Sequence, residues 1–290
     1  MRQKPCRAGM TFAELMIATA VTGIIAATVS ALAITVETAT SYNRNADTAT
    51  QNARVVLDRI QRTMRAANAN ELFPGILSIS TTVGNYSYPD AVAVWTPPNG
   101  TPSNTANTGL PLYKELTIYC PSPTNPGSLL EITRPNDSTV APTPSDTTSW
   151  AATINTFATA SDSTVLTLTT MLRTASATGT VTIHGDGNGK GNTTTVSQMR
   201  GCVRFEILLR PSITELNAYR TLATSNQTYS SWETIPWPQN YYTRNSGTRQ
   251  TWCRIELQLM PDPNWTTNDP AGVTAVPFFG SASLYYEIPR

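Results

Sequence analysis

The spacing of hydrophobic and polar positions changes twice along this 290-residue chain. Residues 15–36 hold no charged side chain, and their length matches the roughly 20 apolar residues needed to cross a bilayer. Between residues 53 and 67 the period becomes helical, with Val56, Ile60, Met64 and Ala67 on one stripe and Ala53 and Leu57 beside it. Asp58 and Arg62 stand four apart on this helix and are placed to pair. Thr35, Thr38, Thr40 and Thr48 weaken the join, and residues 41–45 are its softest part. Together these segments predict one helix over residues 10–69, about 90 Å long at 1.5 Å per residue.

Pro74-Gly75 closes the helical region, and the period then becomes two. Strands are predicted at residues 91–95, 116–120, 128–133, 164–170, 179–183, 202–210, 251–260 and 283–288. The stretches 96–109, 121–127 and 134–149 are rich in Pro, Thr, Ser and Asn and read as loops. This pattern predicts an α+β fold: a long N-terminal helix, transmembrane in its first half and amphipathic in its second, packed against one or two antiparallel β-sheets. The divisions expected are residues 1–9 as leader, 10–36 as membrane or filament-core helix, 37–72 as amphipathic helix, and 73–290 as β-rich head.

Composition narrows the setting. Charged residues make up 13% of the chain, against about 25% in ordinary soluble domains. Thr, Ser, Asn, Gly and Pro fill the polar positions, which suits an extracytoplasmic β-rich head. Lys and Arg number 20 against 19 Asp and Glu, so no basic excess points to nucleic acid. Arg54, Arg59, Arg62 and Arg65 line one helix side and read as a solvated face.

The start of the chain carries the most specific chemistry. Arg2, Lys4 and Arg7 precede the apolar span with no acid among residues 1–9, which keeps that end cytoplasmic. Three readings meet these facts. A secretory signal would use Ala31-Leu32-Ala33 for cleavage; a plain anchor would keep the span; a prepilin leader would be cut after Gly9. Glu14 separates them, because an acid at the lip of hydrocarbon is costly unless it has a partner. A filament subunit supplies one: the new amino group of Met10 on a neighbour.

The run Gly9-Met10-Thr11-Phe12-Ala13-Glu14-Leu15-Met16 resembles the class III prepilin motif of type IV pilins and type II secretion pseudopilins. Met10 departs from the Phe usual there, and Gly23 falls where pilins often have a helix glycine. The resemblance implies cleavage at Gly9–Met10 by a prepilin peptidase, N-methylation of Met10, and assembly contacts through Glu14, Thr11 and Phe12. It implies partnership with other subunits, an inner-membrane assembly platform and lipid. It also implies single-pass residence with the N-terminus cytoplasmic, followed by a periplasmic or extracellular filament. Residues 54–67, the strand at 202–209, the turn at 231–238 and the strand at 254–259 are similar to J-type and W-type minor members. Such members are expected at filament tips, where they start assembly. The other expectation, from a different class, is a Sec-exported β-rich surface binding protein or adhesin that begins near Ile34.

The head offers few further candidates. Cys6 lies in the leader, leaving Cys120, Cys202 and Cys253 and at most one bridge. Strand parity turns Cys120 and Cys253 inward and Cys202 outward, which favours a Cys120–Cys253 disulfide over a direct Cys202–Cys253 one; three thiols remain the alternative. Asp186 and Asn188, spaced by glycines, begin a calcium-like loop that lacks its distal Glu. Trp232, Trp237, Tyr241 and Tyr242 form a candidate partner surface. Glu206 and Glu256 read as a solvent face shared with Arg204 and Arg254. No Gly-x-Ser-x-Gly, P-loop or Gly-x-Gly-x-x-Gly after a strand is present, so no enzyme activity and no cofactor are expected.

Overall fold

A computed structural model describes residues 10–83, 86–103, 108–183, 192–216, 246–261 and 275–289. The chain divides into two compact units between Thr48 and Ala49. One helix, α1 (Phe12–Arg65), contributes to both. In the first unit every large apolar side chain from Met10 to Val36 is exposed, from 49% at Val21 to 77% at Phe12. This stretch is long and apolar enough to cross a membrane. The threonines do not interrupt it. The hydroxyls of Thr19, Thr22, Thr35, Thr38 and Thr40 donate to the carbonyls four residues back, at 2.7–3.0 Å. Each is thereby satisfied inside the helix, as a polar side chain in hydrocarbon requires.

In the second unit α1 buries Ala49, Ala53, Val56, Leu57, Ile60 and Met64, the stripe that the 3.6-residue period predicts. Its helix stops at Arg65, short of residue 69, because the chain turns there to join a sheet: Asn68 N–H donates to Trp95 O at 2.8 Å. Five antiparallel strands follow in sequence order, β1 (Ile76–Val83), β2 (Tyr86–Trp95), β3 (Leu116–Pro121), β4 (Leu129–Thr133) and β5 (Thr164–Thr169). A hairpin, β6 (Thr174–Ile183) with β7 (Asn192–Gly201), leads to β8 (Val203–Arg210), β9 (Ser246–Leu259) and β10 (Val276–Pro289). The last three form a second sheet in the order β10-β9-β8. The fold is α+β, with the later turns of α1 packed against antiparallel sheets.

Two cores result. The first joins the α1 stripe to Val92, Val94, Tyr119 and Leu129 of the five-stranded sheet and to Phe205, Cys253, Ile255 and Leu257 of the three-stranded sheet. The second lies on the opposite face of the five-stranded sheet, where Trp95, Ile118, Cys120 and Ile132 meet helix α2 (Thr147–Thr159). Helix α2 falls partly in the predicted loop 134–149. Its Thr-rich sequence hides the stripe Trp150, Thr153 and Phe157, which is buried, and Asp146 caps it by accepting from Ser149 N–H at 3.0 Å. Strands β1 and β7 also escaped the sequence reading. Both draw on Ser, Thr and Asn, which pair in a ladder once a neighbour is present.

Two glycines mark close approaches. Gly75 has φ of +80°, and a Cβ there would stand 2.6 Å from Asn68 O. At Gly280, on β10, a Cβ would meet Gln61 Nε2 at 2.6 Å and Leu57 Cδ2 at 3.2 Å, so two helix side chains lie directly against the strand backbone.

The stripe on α1 sets the stability of the head. Ile60→Ala, at a residue 1% exposed, is expected to cost about 2–5 kcal/mol. Val55→Ala, one step off the stripe at 69% exposure, is expected to cost less than about 0.5 kcal/mol. Denaturant melts of the two variants check this, and equal losses would contradict the packing.

Candidate functional site

The candidate site opens α1. Thr11 precedes the first helical residue, Phe12, and Glu14 is the third helical position. Thr11 N–H donates to Glu14 Oε2 at 2.9 Å, and Glu14 N–H reaches Thr11 Oγ1 at 3.4 Å. The Thr11 hydroxyl also donates to Oε2, at 3.0 Å. This is a reciprocal capping box, satisfying two of the amides that a helix start leaves unpaired. A carboxylate in the first turn also faces the positive end of the helix dipole. The Thr-x-x-Glu spacing is the sequence signal for it, and it gives Glu14 a local role that does not need a neighbouring subunit. Around it Met10 is 68% exposed and Phe12 77%. Gly9, with residues 1–8, lies outside the described residues.

Other candidates in the head part company. Cys120 and Cys253 are both buried, as parity predicts, yet no disulfide joins them. The expected bridge is corrected by the two cores: Cys120 faces the α2 side of the five-stranded sheet, and Cys253 faces α1. Parity identifies an inward face but does not say which interior it meets. Burial pushes both thiols up to about 12, so they are poor nucleophiles. Asp186 and Asn188, and Trp232, Trp237, Tyr241 and Tyr242, lie outside the described residues. Among the described residues no cluster of His, Cys, Asp and Glu is placed to hold a metal.

The arginine side of α1 is partly neutralised. Arg59 makes a two-pronged pair with Glu131 on β4, at 2.5 and 2.8 Å, and Arg62 pairs with Asp58 at 2.5 Å. On the outer face of the three-stranded sheet Glu206 pairs with Arg204 and lies 3.7 Å from Arg254 across the strands, the solvent ladder expected there.

Several polar groups are buried without a sequence signal. Arg200 pairs with Asp90 and lies over the Tyr88 ring at 4.6 Å. Glu115, fully buried, receives Trp95 Nε1–H at 3.1 Å, Leu112 N–H at 3.1 Å and Ser103 N–H at 2.5 Å. Burial alone would raise its pKa, but these donors outweigh it and hold the carboxyl below the usual range. Glu115 is therefore an ionised structural hub in the loops beside β3.

Comparison with known protein families, with curated proteins and with solved structures gives no match for this chain.

Glu115 makes the head sensitive to acid. A carboxyl whose folded pKa is depressed stabilises above its unfolded value, near 4.5, and that contribution is lost as the pH falls through the folded value. Glu115→Gln places an amide donor against three donors and is expected to cost about 1–3 kcal/mol at pH 7. The gap between wild type and variant should narrow below about pH 4. Thermal melts across pH check it; a gap constant from pH 7 to 3 would contradict an ionised Glu115.

Proposed function

We propose that this chain is a minor pilin or pseudopilin, a structural subunit of a type IV pilus or a type II secretion pseudopilus, acting at the tip where assembly starts. The observation that carries this reading is the first unit of α1. Its large apolar side chains from Met10 to Val36 are all exposed, and it opens on a single carboxylate. Such a surface needs a covering other than water, either lipid or the equivalent helices of neighbouring subunits. The same helix then supplies the core stripe of a β-rich head, an economy suited to a subunit that must carry its head into a filament. The prepilin-like run at residues 9–16 adds the leader cut and the methylated amino group.

In this reading the chain first sits in the inner membrane with its N-terminus cytoplasmic. A prepilin peptidase cuts Gly9–Met10, and an assembly platform lifts the product from lipid into the filament. Glu14 keeps its cap through Oε2 and pairs with the Met10 amino group of the adjoining subunit. The head carries no catalytic role.

Two measurements test this. The mature protein is expected to begin at N-methylated Met10 by N-terminal sequencing and mass; a start near Ile34 would make it a Sec-exported binding protein instead. Glu14→Gln separates charge from capping, because Gln at this position still completes a capping box. Both Glu14→Gln and Glu14→Ala should be cleaved normally yet enter filaments at least about tenfold less than wild type, since each leaves the neighbouring amino group without its anion. Normal incorporation of Glu14→Gln would reduce Glu14 to a cap and defeat the assembly role.

A further inference from the structure

We propose that the cavity between β1 and β8 binds an extended segment of a partner polypeptide, one that presents a carboxylate to Arg249. The inference concerns the second unit alone and does not depend on the filament reading.

The cavity measures about 1050 Å³ and is lined by residues 76–78 of β1 and 205–209 of β8. Successive residues of a strand point to opposite faces, so a space that touches five in a row borders the strand's edge. Both strands are edges: β1 ends the five-stranded sheet and β8 ends the three-stranded sheet. The direction of the β8 backbone groups follows from two hydrogen bonds. Cys202 O accepts from Gln258 N–H of β9 at 3.1 Å, so the even-numbered residues of β8 turn toward β9. Phe205 O accepts from the Ser78 hydroxyl of β1 at 2.7 Å, so the odd-numbered residues turn toward the cavity. Residues 207 and 209 follow the same parity. The two strands are tied by that side-chain bond rather than by a ladder, leaving edge groups that an added strand would meet.

The walls are mostly apolar and open, with Glu71 and Glu206 also on the lining. Leu72 is 54% exposed, Leu208 42% and Ile213 57%, with Trp252 beside them. Against this stands Arg249, which also lines the cavity and is only 3% exposed. Its Nε–H donates to Pro211 O at 3.0 Å, while Nη2 has no partner among the described residues. Among the described residues no carboxylate pairs with it. Its cross-strand neighbour Tyr286 brings a neutral phenol, and burial pushes that hydroxyl further from ionising. A buried cation without an anion is costly, so this one points to a ligand that supplies the charge. A fatty acid would satisfy the arginine and the walls but leave both strand edges unmet. A peptide in β conformation meets all three, with backbone groups for the edges, alternate apolar side chains for the walls, and an Asp, Glu or terminal carboxylate for Arg249.

The full-length chain in detergent is titrated with a fluorescent pool of acetylated, amidated hexapeptides that carry Val, Ile or Thr at five positions and Asp at a central one. A second pool has Asn for Asp, and dodecanoate is the third probe. The Asp pool is expected to bind at least about tenfold more tightly than the Asn pool, because only it neutralises the buried guanidinium. Amide exchange at residues 207 and 209 should slow on binding. Leu209→Pro removes an N–H that faces the cavity rather than β9, a place where an edge strand tolerates proline, so it should lose peptide binding at an unchanged melting temperature. Equal binding of the two pools, or none of either, overturns the proposal. Binding of dodecanoate but not peptide makes the cavity a lipid-tail site and overturns it equally. Should Leu209→Pro fail to fold, the comparison of Asp with Asn pools on the native chain still decides.

Discussion

The main core of the head closes on six side chains of one helix. Ala49, Ala53, Val56, Leu57, Ile60 and Met64 form a stripe that the two main sheets share. Burying a Val, Leu, Ile or Met side chain contributes roughly 1.5–3 kcal/mol, so the four larger members dominate the attraction between helix and sheets. Gly280 on β10 leaves room for the Leu57 and Gln61 side chains, which a Cβ there would meet at 3.2 and 2.6 Å. Thr63 and Arg59 extend the grip to polar contacts, through the Tyr119 hydroxyl at 2.8 Å and the Glu131 carboxylate.

The same helix presents two kinds of surface. From Ala49 it is amphipathic, and its polar side answers to water and to carboxylates. Up to Val36 it is apolar on all sides, with back-bonded threonines and a capping box that folds its one acid onto its own first turn. These devices meet one constraint, that polar groups in a medium without water must be satisfied locally or by a neighbour of the same kind. Glu14 stands at the boundary of the two solutions, locally bonded yet charged.

Buried polar groups in the head illustrate the same constraint and one departure from it. Glu115 has three donors on two oxygens, and nothing about it calls for a ligand. Arg249 donates to one backbone carbonyl and meets the neutral Tyr286 phenol, with no carboxylate paired to it among the described residues, although its guanidinium is nearly as deeply buried. Proteins rarely leave a charge in that state, and the departure coincides with a cavity bounded by two strand edges. In a molecule whose described residues show no metal cluster, this mismatch is the clearest chemical signal in the head.

Elements with a single strong period were legible in the residues. The apolar span, the α1 stripe, and β2, β3, β4, β8 and β9 follow from spacing alone, because burial of one face imposes a period of 3.6 or 2 whatever the partner. Helix α2 and strands β1 and β7 were not, since Thr, Ser and Asn are neutral between states until a neighbour accepts their hydrogen bonds. Cys120 and Cys253 show the limit of parity: both point inward, but a sheet covered on two faces has two interiors, and they face different ones. The Thr11–Glu14 box was present as a three-residue spacing, whereas Glu115 and Arg249 look in sequence like any other charged residue. The chain by itself thus determined which segments must leave water, and where an acid sits at the edge of one. Only the tertiary structure decided which charges are answered after burial, because that depends on donors and acceptors brought together from distant parts of the chain.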